Sequence, residues 1–341
     1  MPLNGFSVSV WLFPGKGMTD TLVIKTEQLT KQFDDYAAVN GIDLEVTSGE
    51  VYGLIGPNGA GKTTLIRLLA LAEQPTMGEL TIDGKTLIRG HANPEVKQRL
   101  GFLPDDFPLY NDLSVQNYLE YFGQLYYIPP SELAERIKEV LALVNLENKR
   151  LSLVSELSRG MKQRLSLART VIHRPKLLLL DEPVSGLDPI ARIDYCATIK
   201  RLQKEGITIV ISSHILSDLE DFCTSIGIME QGRLVESGQL QSLYQKDVKT
   251  LSIAVVEDSP PAGQYAPIEI YLQEHPLVST YKVADEATED SQFLLTFTGN
   301  DSDAADLLSV LVSEGIRIKE FRQVQETLQD IFLKLDHKRT S

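Results

Sequence analysis

Short apolar runs alternate with amphipathic stretches through the larger, N-terminal part of this chain. Val51–Ile55, Leu177–Leu180 and Ile207–Ile211 are short and mostly apolar, which predicts strands buried in a parallel sheet. After the first run, Lys62–Leu71 places leucine and isoleucine at helical spacing, which favours a helix packed on that sheet. The pattern therefore predicts an α/β core.

Two further helices are predicted between the first and second apolar runs. Ser114 is a good N-cap, and apolar positions recur at helical spacing through Val115–Leu125. We expect Pro129 and Pro130 to end this helix and Ser131 to begin the next one. This segment also holds many tyrosines, most of which we expect to be ordinary core or half-buried residues.

The hydrophobic pattern changes after Leu243. Just before it, Met229–Gly238 predicts a β-hairpin that closes the larger domain. The remaining elements follow the order β-α-β-β-α-β with a final helix, which predicts a small ferredoxin-like α+β domain. In numbers, these elements are predicted at 251–255, 268–274, 278–283, 292–298, 303–313, 316–320 and 325–335.

Composition narrows the classes of function. The chain has 341 residues, 43% of them hydrophobic, which is enough for two domains at 18–245 and 246–341. Its net charge of −14 makes nucleic acid an unfavourable partner. No apolar run approaches the roughly 20 residues of a membrane span, so any translocation path is expected on another polypeptide. Residues 1–17 lack the basic region of a signal peptide and are expected to form a disordered extension.

A phosphate-binding loop follows the first apolar run. The residues from Gly56 to Thr63 match the pattern G-x-x-x-x-G-K-[ST], whose backbone N–H groups cradle phosphates at a helix N-terminus. Lys62 is expected to reach the β- and γ-phosphates, and the Thr63 hydroxyl to bind Mg²⁺. The predicted nucleotide-binding residues here are Gly56, Pro57, Asn58, Gly59, Ala60, Gly61, Lys62, Thr63 and Thr64.

Acidic and basic side chains follow the other two apolar runs. Asp181 and Glu182 come directly after four leucines, where Asp181 is expected to hold Mg²⁺ and Glu182 to polarise an attacking water. His214 follows the third run, and we expect it to contact the γ-phosphate. Asp188 lies in a loop that could carry it to a second subunit. Each of these residues has a plain structural alternative, as a turn, cap or loop residue.

Taken in order, these motifs resemble the ATP-binding cassette ATPases, the nucleotide-binding subunits of ABC transporters. The similarity covers roughly residues 20–245 and implies a P-loop NTPase fold with a parallel core, an antiparallel β subdomain and a helical subdomain at about 106–157. Ser158, Arg159, Gly160 and Met161 match the family signature LSGGQ, with Arg for its first Gly and Met for its Gln. The resemblance implies that this signature binds the ATP held by the opposite subunit.

The resemblance assigns two more residues. Phe33 stands where the family has an aromatic that stacks on adenine, and Tyr36 is its nearest competitor. Asp105 stands where the family usually has Gln, a residue that touches Mg²⁺ and links the nucleotide to the membrane subunit. A carboxylate can still bind Mg²⁺, although it adds negative charge beside the γ-phosphate.

Function follows from the family pattern. It implies an ATP- and Mg²⁺-dependent ATPase that pairs with a second copy or a second ABC ATPase and energises a polytopic permease at the cytoplasmic face of the membrane. The C-terminal extension is similar to those of exporter ATPases. Two alternatives remain: an ABC ATPase of a non-transport machine, and a non-hydrolysing ATP-gated regulator.

Overall fold

The computed structural model describes residues 21–243 except 89, 92, 108, 216 and 221, and the segments 249–256, 266–283 and 291–324. The predicted extension at 1–17 and the predicted final helix at 325–335 lie outside the described residues. The chain divides into two compact units, one that ends at Leu240 and one that begins at Gln241. In the described part, no helix combines the length and apolar character needed to span a bilayer.

The strands and helices of the described residues alternate along both units. The strands are β1 (Leu22–Phe33), β2 (Tyr36–Thr47), β3 (Val51–Ile55), β4 (Met77–Ile82), β5 (Lys85–Thr86), β6 (Leu100–Leu103), β7 (Leu177–Leu180), β8 (Thr208–Ser213), β9 (Ser225–Glu230), β10 (Arg233–Gln239), β11 (Lys249–Val255), β12 (Val278–Val283), β13 (Ser291–Phe297) and β14 (Ile318–Val324). The helices are α1 (Lys62–Leu69), α2 (Pro94–Lys97), α3 (Val115–Leu125), α4 (Pro130–Leu143), α5 (Arg159–Val171), α6 (Pro189–Lys204), α7 (Ser217–Glu220), α8 (Leu240–Leu243), α9 (Ala266–Glu274) and α10 (Asp301–Ser313).

A six-stranded sheet in the order β10-β9-β3-β8-β7-β6 forms the centre of the first unit. Neighbouring strands are parallel except β10, which pairs with β9 in antiparallel fashion. Every residue of β3, β7 and β8 is buried, as expected for strands covered on both faces. The three predicted apolar runs are therefore adjacent strands, and their carboxyl ends meet at one edge of the sheet.

An antiparallel sheet in the order β2-β1-β4-β5 forms a second layer of this unit. Its apolar face shares one hydrophobic cluster with α1 and the central sheet, including Leu29 and Val39 from the sheet, Leu65 from α1 and Leu179 from β7. This layer therefore holds α1 from the side opposite the central sheet. The parallel core and the antiparallel layer confirm the predicted P-loop NTPase architecture.

The helical region between β6 and β7 follows the sequence prediction closely. Ser114 caps α3, its Oγ accepting a hydrogen bond from the Asn117 N–H at 3.1 Å. α3 ends at Leu125, before the prolines, and α4 begins at Pro130 rather than at the predicted Ser131. Proline is favoured in the first turn because it lacks an N–H that would have no partner there.

The second unit is a four-stranded antiparallel sheet in the order β12-β13-β11-β14. α9 lies in sequence between β11 and β12, and α10 between β13 and β14, so the order is β-α-β-β-α-β. Ile253, Phe293 and Leu295 of the sheet pack with Leu272 and Leu307 of the helices in one apolar cluster. The predicted ferredoxin-like α+β fold is confirmed in the described residues.

Candidate active site

The phosphate loop connects β3 to α1 in a shape that only glycine permits at two points. A Cβ at Gly56 would lie 2.2 Å from the Met229 carbonyl oxygen. Gly61 has φ +101°, and a Cβ there would lie 2.1 Å from the Ala38 carbonyl oxygen. Neighbouring backbone thus confines the loop, and the absence of side chains leaves its N–H groups open to an anion.

Lys62, the first residue of α1, is a buried cation that is 5% exposed. Its Nζ donates to the carbonyl oxygens of Gly56 at 2.7 Å and Pro57 at 3.2 Å. It also lies 3.4 Å from Oε1 of Glu182. A flexible ammonium held over the phosphate loop can exchange these carbonyl oxygens for phosphate oxygens without leaving the site.

Beside the loop lies a cleft of about 430 Å³. Its walls combine the phosphate loop with side chains that sequence analysis placed at the ends of other strands. The lining residues are Tyr36, Ala38, Asn58, Gly59, Ala60, Gly61, Lys62, Thr63, Thr64, Asp105, Glu182, Ser185 and His214.

Asp181 follows β7 at the floor of the site and is only 1% exposed. Its Oδ1 accepts hydrogen bonds from the Thr63 hydroxyl at 3.2 Å and from the Ser212 hydroxyl at 2.8 Å. Burial raises the pKa of this carboxyl, and the charges of Asp105 and Glu182 raise it further, against the lowering effect of the two hydroxyls. A buried carboxylate with neutral donors and acidic neighbours fits a bound cation, since a cation would stabilise the charge that burial disfavours.

Glu182 is held in place by its backbone and its side chain. Its φ of +46° lies in the left-handed region, which costs a non-glycine residue about 1–2 kcal/mol and recurs at functional sites. The Glu182 N–H donates to Ser212 Oγ at 2.9 Å, and Oε2 lies 2.8 Å from Nδ1 of His214. One serine therefore contacts both acidic residues, a link that the motif pattern alone does not contain.

The signature residues lie at the N-terminus of α5. Ser158 caps the helix, with its Oγ accepting from the Met161 N–H at 3.3 Å. Gly160 is buried, and a Cβ there would lie 2.8 Å from Ala191 Cβ in α6. Ser158 and Arg159 are exposed. In the described chain, the cleft lining contains none of the four signature residues.

Asp188 has a local structural role at the start of α6. Its Oδ1 accepts hydrogen bonds from the N–H groups of Ile190 at 3.1 Å and Ala191 at 3.0 Å. This is an N-cap, and the Asp188-Pro189 pair is a sequence signal for it because proline is favoured directly after the cap. The contact of Asp188 with a second subunit stays a prediction.

The two candidate aromatics lie at opposite ends of the β1–β2 turn, where Phe33 pairs with Tyr36. Tyr36 lines the cleft and donates its hydroxyl to the Gly59 carbonyl oxygen at 3.2 Å. Phe33 is 45% exposed, and the Lys31 ammonium lies 4.8 Å from its ring centroid. The choice of Phe33 as the adenine platform therefore stays a prediction.

Comparison with known proteins agrees with this site. Residues 39–185 match the family described as ABC transporter, and residues 263–335 match the C-terminal domain of DrrA1-3-like ATP-binding proteins. The uncharacterized ABC transporter ATP-binding protein YxlF of Bacillus subtilis (strain 168) is 31% identical over 92% of this chain and 100% of its own length. This chain belongs to the ATP-binding subunits of ABC transporters.

Other relatives and solved structures extend the comparison. The bacitracin transport ATP-binding protein BcrA of Bacillus licheniformis is 32% identical over 92% of this chain and 97% of its own length. The Nod factor export ATP-binding protein I of Cupriavidus metallidurans is 32% identical over the same shares. The structure of cbiO1 from Clostridium perfringens, part of the transporter complex cbiONQ, has a TM-score of 0.61 and 27% identity over 66% of this chain and 91% of its own. As a member of this family, the chain binds and hydrolyses ATP.

Proposed function

We propose that this ATPase powers an exporter and works as a head-to-tail dimer with ATP between two half-sites. The observation that carries the proposal is the composition of the cleft. It gathers the phosphate loop, Glu182 and His214, but in the described chain its lining excludes Ser158–Met161. Because the family signature acts on ATP, a second ATPase subunit must supply it to this cleft.

Export is supported by the relatives that match nearly the whole chain. BcrA is named for bacitracin transport and the Nod factor protein for export, and both are matched over 92% of this chain. The C-terminal match to DrrA1-3-like proteins lies in the region that distinguishes this chain from a bare ATPase domain. We infer that the translocation path belongs to a separate polytopic permease, which would hold this subunit at the cytoplasmic face of the membrane.

The side chains of the cleft divide the work of hydrolysis. Lys62 stabilises negative charge on the β- and γ-phosphates, since its Nζ already lies at the loop that would hold them. Glu182 orients the attacking water through Oε1 or Oε2 and accepts its proton. His214 holds Oε2 of Glu182 with Nδ1, which leaves Nε2 for the γ-phosphate.

Thr63, Asp181 and Asp105 would hold Mg²⁺ in this cleft. The buried Asp181 carboxylate has the Thr63 hydroxyl at 3.2 Å, and Asp105 lines the same cleft. When bound, Mg²⁺ neutralises charge on the β- and γ-phosphates. Asp105 brings an oxygen ligand to this position, as the amide of glutamine would, so the family's usual residue is replaced by one that can serve the same cation.

The test uses Glu182→Gln in the full chain. We expect phosphate release to slow by at least about 10²-fold, because the amide cannot accept the proton of water. ATP should then stay bound, and light scattering at saturating ATP should show dimers that the wild type does not accumulate. Glu132→Gln, at an exposed position on α4, is the matched control and should turn over like the wild type.

Two results would contradict the proposal. Wild-type turnover by Glu182→Gln would remove Glu182 from the role of base. A strictly monomeric Glu182→Gln protein at saturating ATP, both alone and with its membrane partner, would exclude the shared site. An exporter is tested separately, by purifying the chain with the permease it binds and following substrate out of inverted or loaded vesicles.

A further inference from the structure

Arg159 turns back onto its own chain although it belongs to the signature. Its Nη2 donates to the Ser185 carbonyl oxygen at 3.1 Å. Gly186 has φ +65°, and a Cβ there would lie 2.4 Å from Nη2 and 2.5 Å from Cζ of Arg159. The guanidinium therefore occupies the space beside Gly186 that a side chain at that position would take.

The loop that Arg159 contacts leads directly from the candidate base. The Ser185 N–H donates to the Glu182 carbonyl oxygen at 3.1 Å, and Ser185 itself lines the cleft. The loop then ends at Asp188, the N-cap of α6. One arginine thus joins the start of α5, which carries the signature, to the middle of the loop that follows Glu182.

We propose that Arg159 is a positioning residue that ties the signature to the loop 182–188 of the same chain. The inference rests on the proposed function, in which the signature of one copy serves the ATP of the other. When a partner's ATP pulls on Ser158–Met161, the arginine passes that displacement to the loop behind Glu182. Each copy would then sense occupancy of the opposite site through a contact inside its own chain.

The chemistry of arginine suits this link. The guanidinium stays protonated at any pH the protein meets, and it offers several N–H donors in a fixed plane. A hydrogen bond from a charged donor to a carbonyl is stronger than one between neutral groups. Gly160, whose missing side chain lets α5 approach Ala191 of α6, gives a second close contact between the two helices.

The competing role for Arg159 is direct contact with the partner's γ-phosphate. Both roles place the residue in the ATPase cycle, but they change different kinetic constants. A phosphate contact strengthens nucleotide binding in the dimer, so its loss raises KM for ATP. A link to the loop behind Glu182 orients the base, so its loss lowers kcat while nucleotide affinity is kept.

The experiment compares Arg159→Ala, Gly186→Ala and the double variant in the full chain, by steady-state ATPase assay and binding of a fluorescent ATP analogue. For Arg159→Ala we expect kcat to fall about tenfold, with KM and analogue affinity within twofold of wild type. Gly186→Ala should also lower kcat, because the added methyl displaces the guanidinium. In the Arg159→Ala background it should lower kcat by no more than twofold, since the contact is already lost.

Controls separate this effect from loss of structure. Lys200→Ala removes an exposed cation from α6, the helix after the same loop, and should keep wild-type kcat. Arg159→Met keeps a long unbranched stem without donors and should behave like Arg159→Ala, so it serves if alanine at this position lowers the melting temperature.

Several outcomes would overturn the inference. Wild-type kcat for Arg159→Ala would do so, as would a tenfold rise in KM at unchanged kcat. Full additivity of Arg159→Ala and Gly186→Ala would show that the two positions do not act through one contact. If Glu182→Gln slows turnover and Arg159→Ala does not, the proposed function stands and only this inference fails. If Glu182→Gln turns over normally, the proposed function itself fails.

Discussion

The two regions that the family uses to hold ATP differ sharply in how they are built here. Around the phosphate loop, Lys62 is 5% exposed and Asp181 is 1% exposed, and each has hydrogen-bonding partners from separate segments. At the signature, Ser158 and Arg159 are exposed, and Ser158 is engaged only with the first turn of its own helix. The first region is assembled within one chain, whereas the second presents a surface that one chain leaves open.

The difference has a physical cause in the topology. β3, β7 and β8 are adjacent parallel strands, so Gly56, Asp181 and His214 follow strand ends at one edge of the sheet. Burial there excludes water and strengthens electrostatic interactions. The signature begins a helix in which the first N–H groups have no partner within the helix, and its site stays solvated until something covers it. Variants in the two regions should therefore damage different steps.

Lys62→Ala is expected to have the largest effect on nucleotide binding. A charged hydrogen bond contributes about 1.5–3 kcal/mol, so losing Lys62 should weaken ATP binding roughly tenfold to hundredfold. The same change leaves Glu182 without the ammonium that lies 3.4 Å from it. Isothermal titration with a non-hydrolysable ATP analogue checks this, with Lys97→Ala at an exposed position of α2 as the control. Unchanged affinity would contradict the role given to Lys62 and weaken the contrast between the regions.

Ser158→Ala should have the opposite profile. Analogue affinity of the monomer should stay within twofold of wild type, because Ser158 is not part of the described cleft lining. Turnover should fall about tenfold, since the alanine offers no hydroxyl to the partner's phosphate. Part of any loss could come from the helix cap, whose removal costs about 1 kcal/mol.

Ser158→Asp separates the cap from the phosphate contact. Aspartate caps a helix as well as serine does, so the melting temperature should stay close to that of wild type. Its negative charge would face the γ-phosphate of the partner's ATP, so turnover should fall below that of Ser158→Ala. If Ser158→Asp turns over faster than Ser158→Ala, the cap is what matters and the signature does not meet a phosphate.

The sequence predicted the first region well because its motifs are fixed by strand ends. Once β3, β7 and β8 are recognised as parallel, the positions of Lys62, Glu182 and His214 follow without knowledge of any contact. Ser212 was missed because its bonds to Asp181 and to the Glu182 N–H join strands about 30 residues apart in the chain. Nothing in a serine after a strand distinguishes such a link from a solvated hydroxyl.

The second region was less predictable for a different reason. A departure such as Arg159 in the signature can be seen in the sequence, but the direction in which its long side chain turns cannot. Its partner, the Ser185 carbonyl oxygen, is a backbone atom that no residue type marks. Asp188 was predicted to reach a second subunit, whereas its cap of α6 follows from the proline after it and could have been recognised locally.

The smallest effect is expected at the two aromatics beside the phosphate loop. If Phe33 stacks on adenine, Phe33→Ala should weaken ATP binding by about 0.5–1.5 kcal/mol, which is roughly twofold to tenfold. Binding of inorganic triphosphate, which lacks the base, should not change. Tyr36→Phe removes only the hydroxyl that donates to the Gly59 carbonyl oxygen, and it serves as the control for the shape of the loop.

Tyr36→Ala provides the contrary outcome. Tyr36 already lines the cleft, whereas Phe33 is 45% exposed beneath the Lys31 ammonium. If Tyr36→Ala lowers ATP affinity relative to triphosphate and Phe33→Ala does not, adenine lies against Tyr36, and the family position is not the one used. If Phe33→Ala alone has that effect, the ring must exchange its lysine for the base on binding. The assembled region would then contain one element that, like the signature, is completed only by the nucleotide.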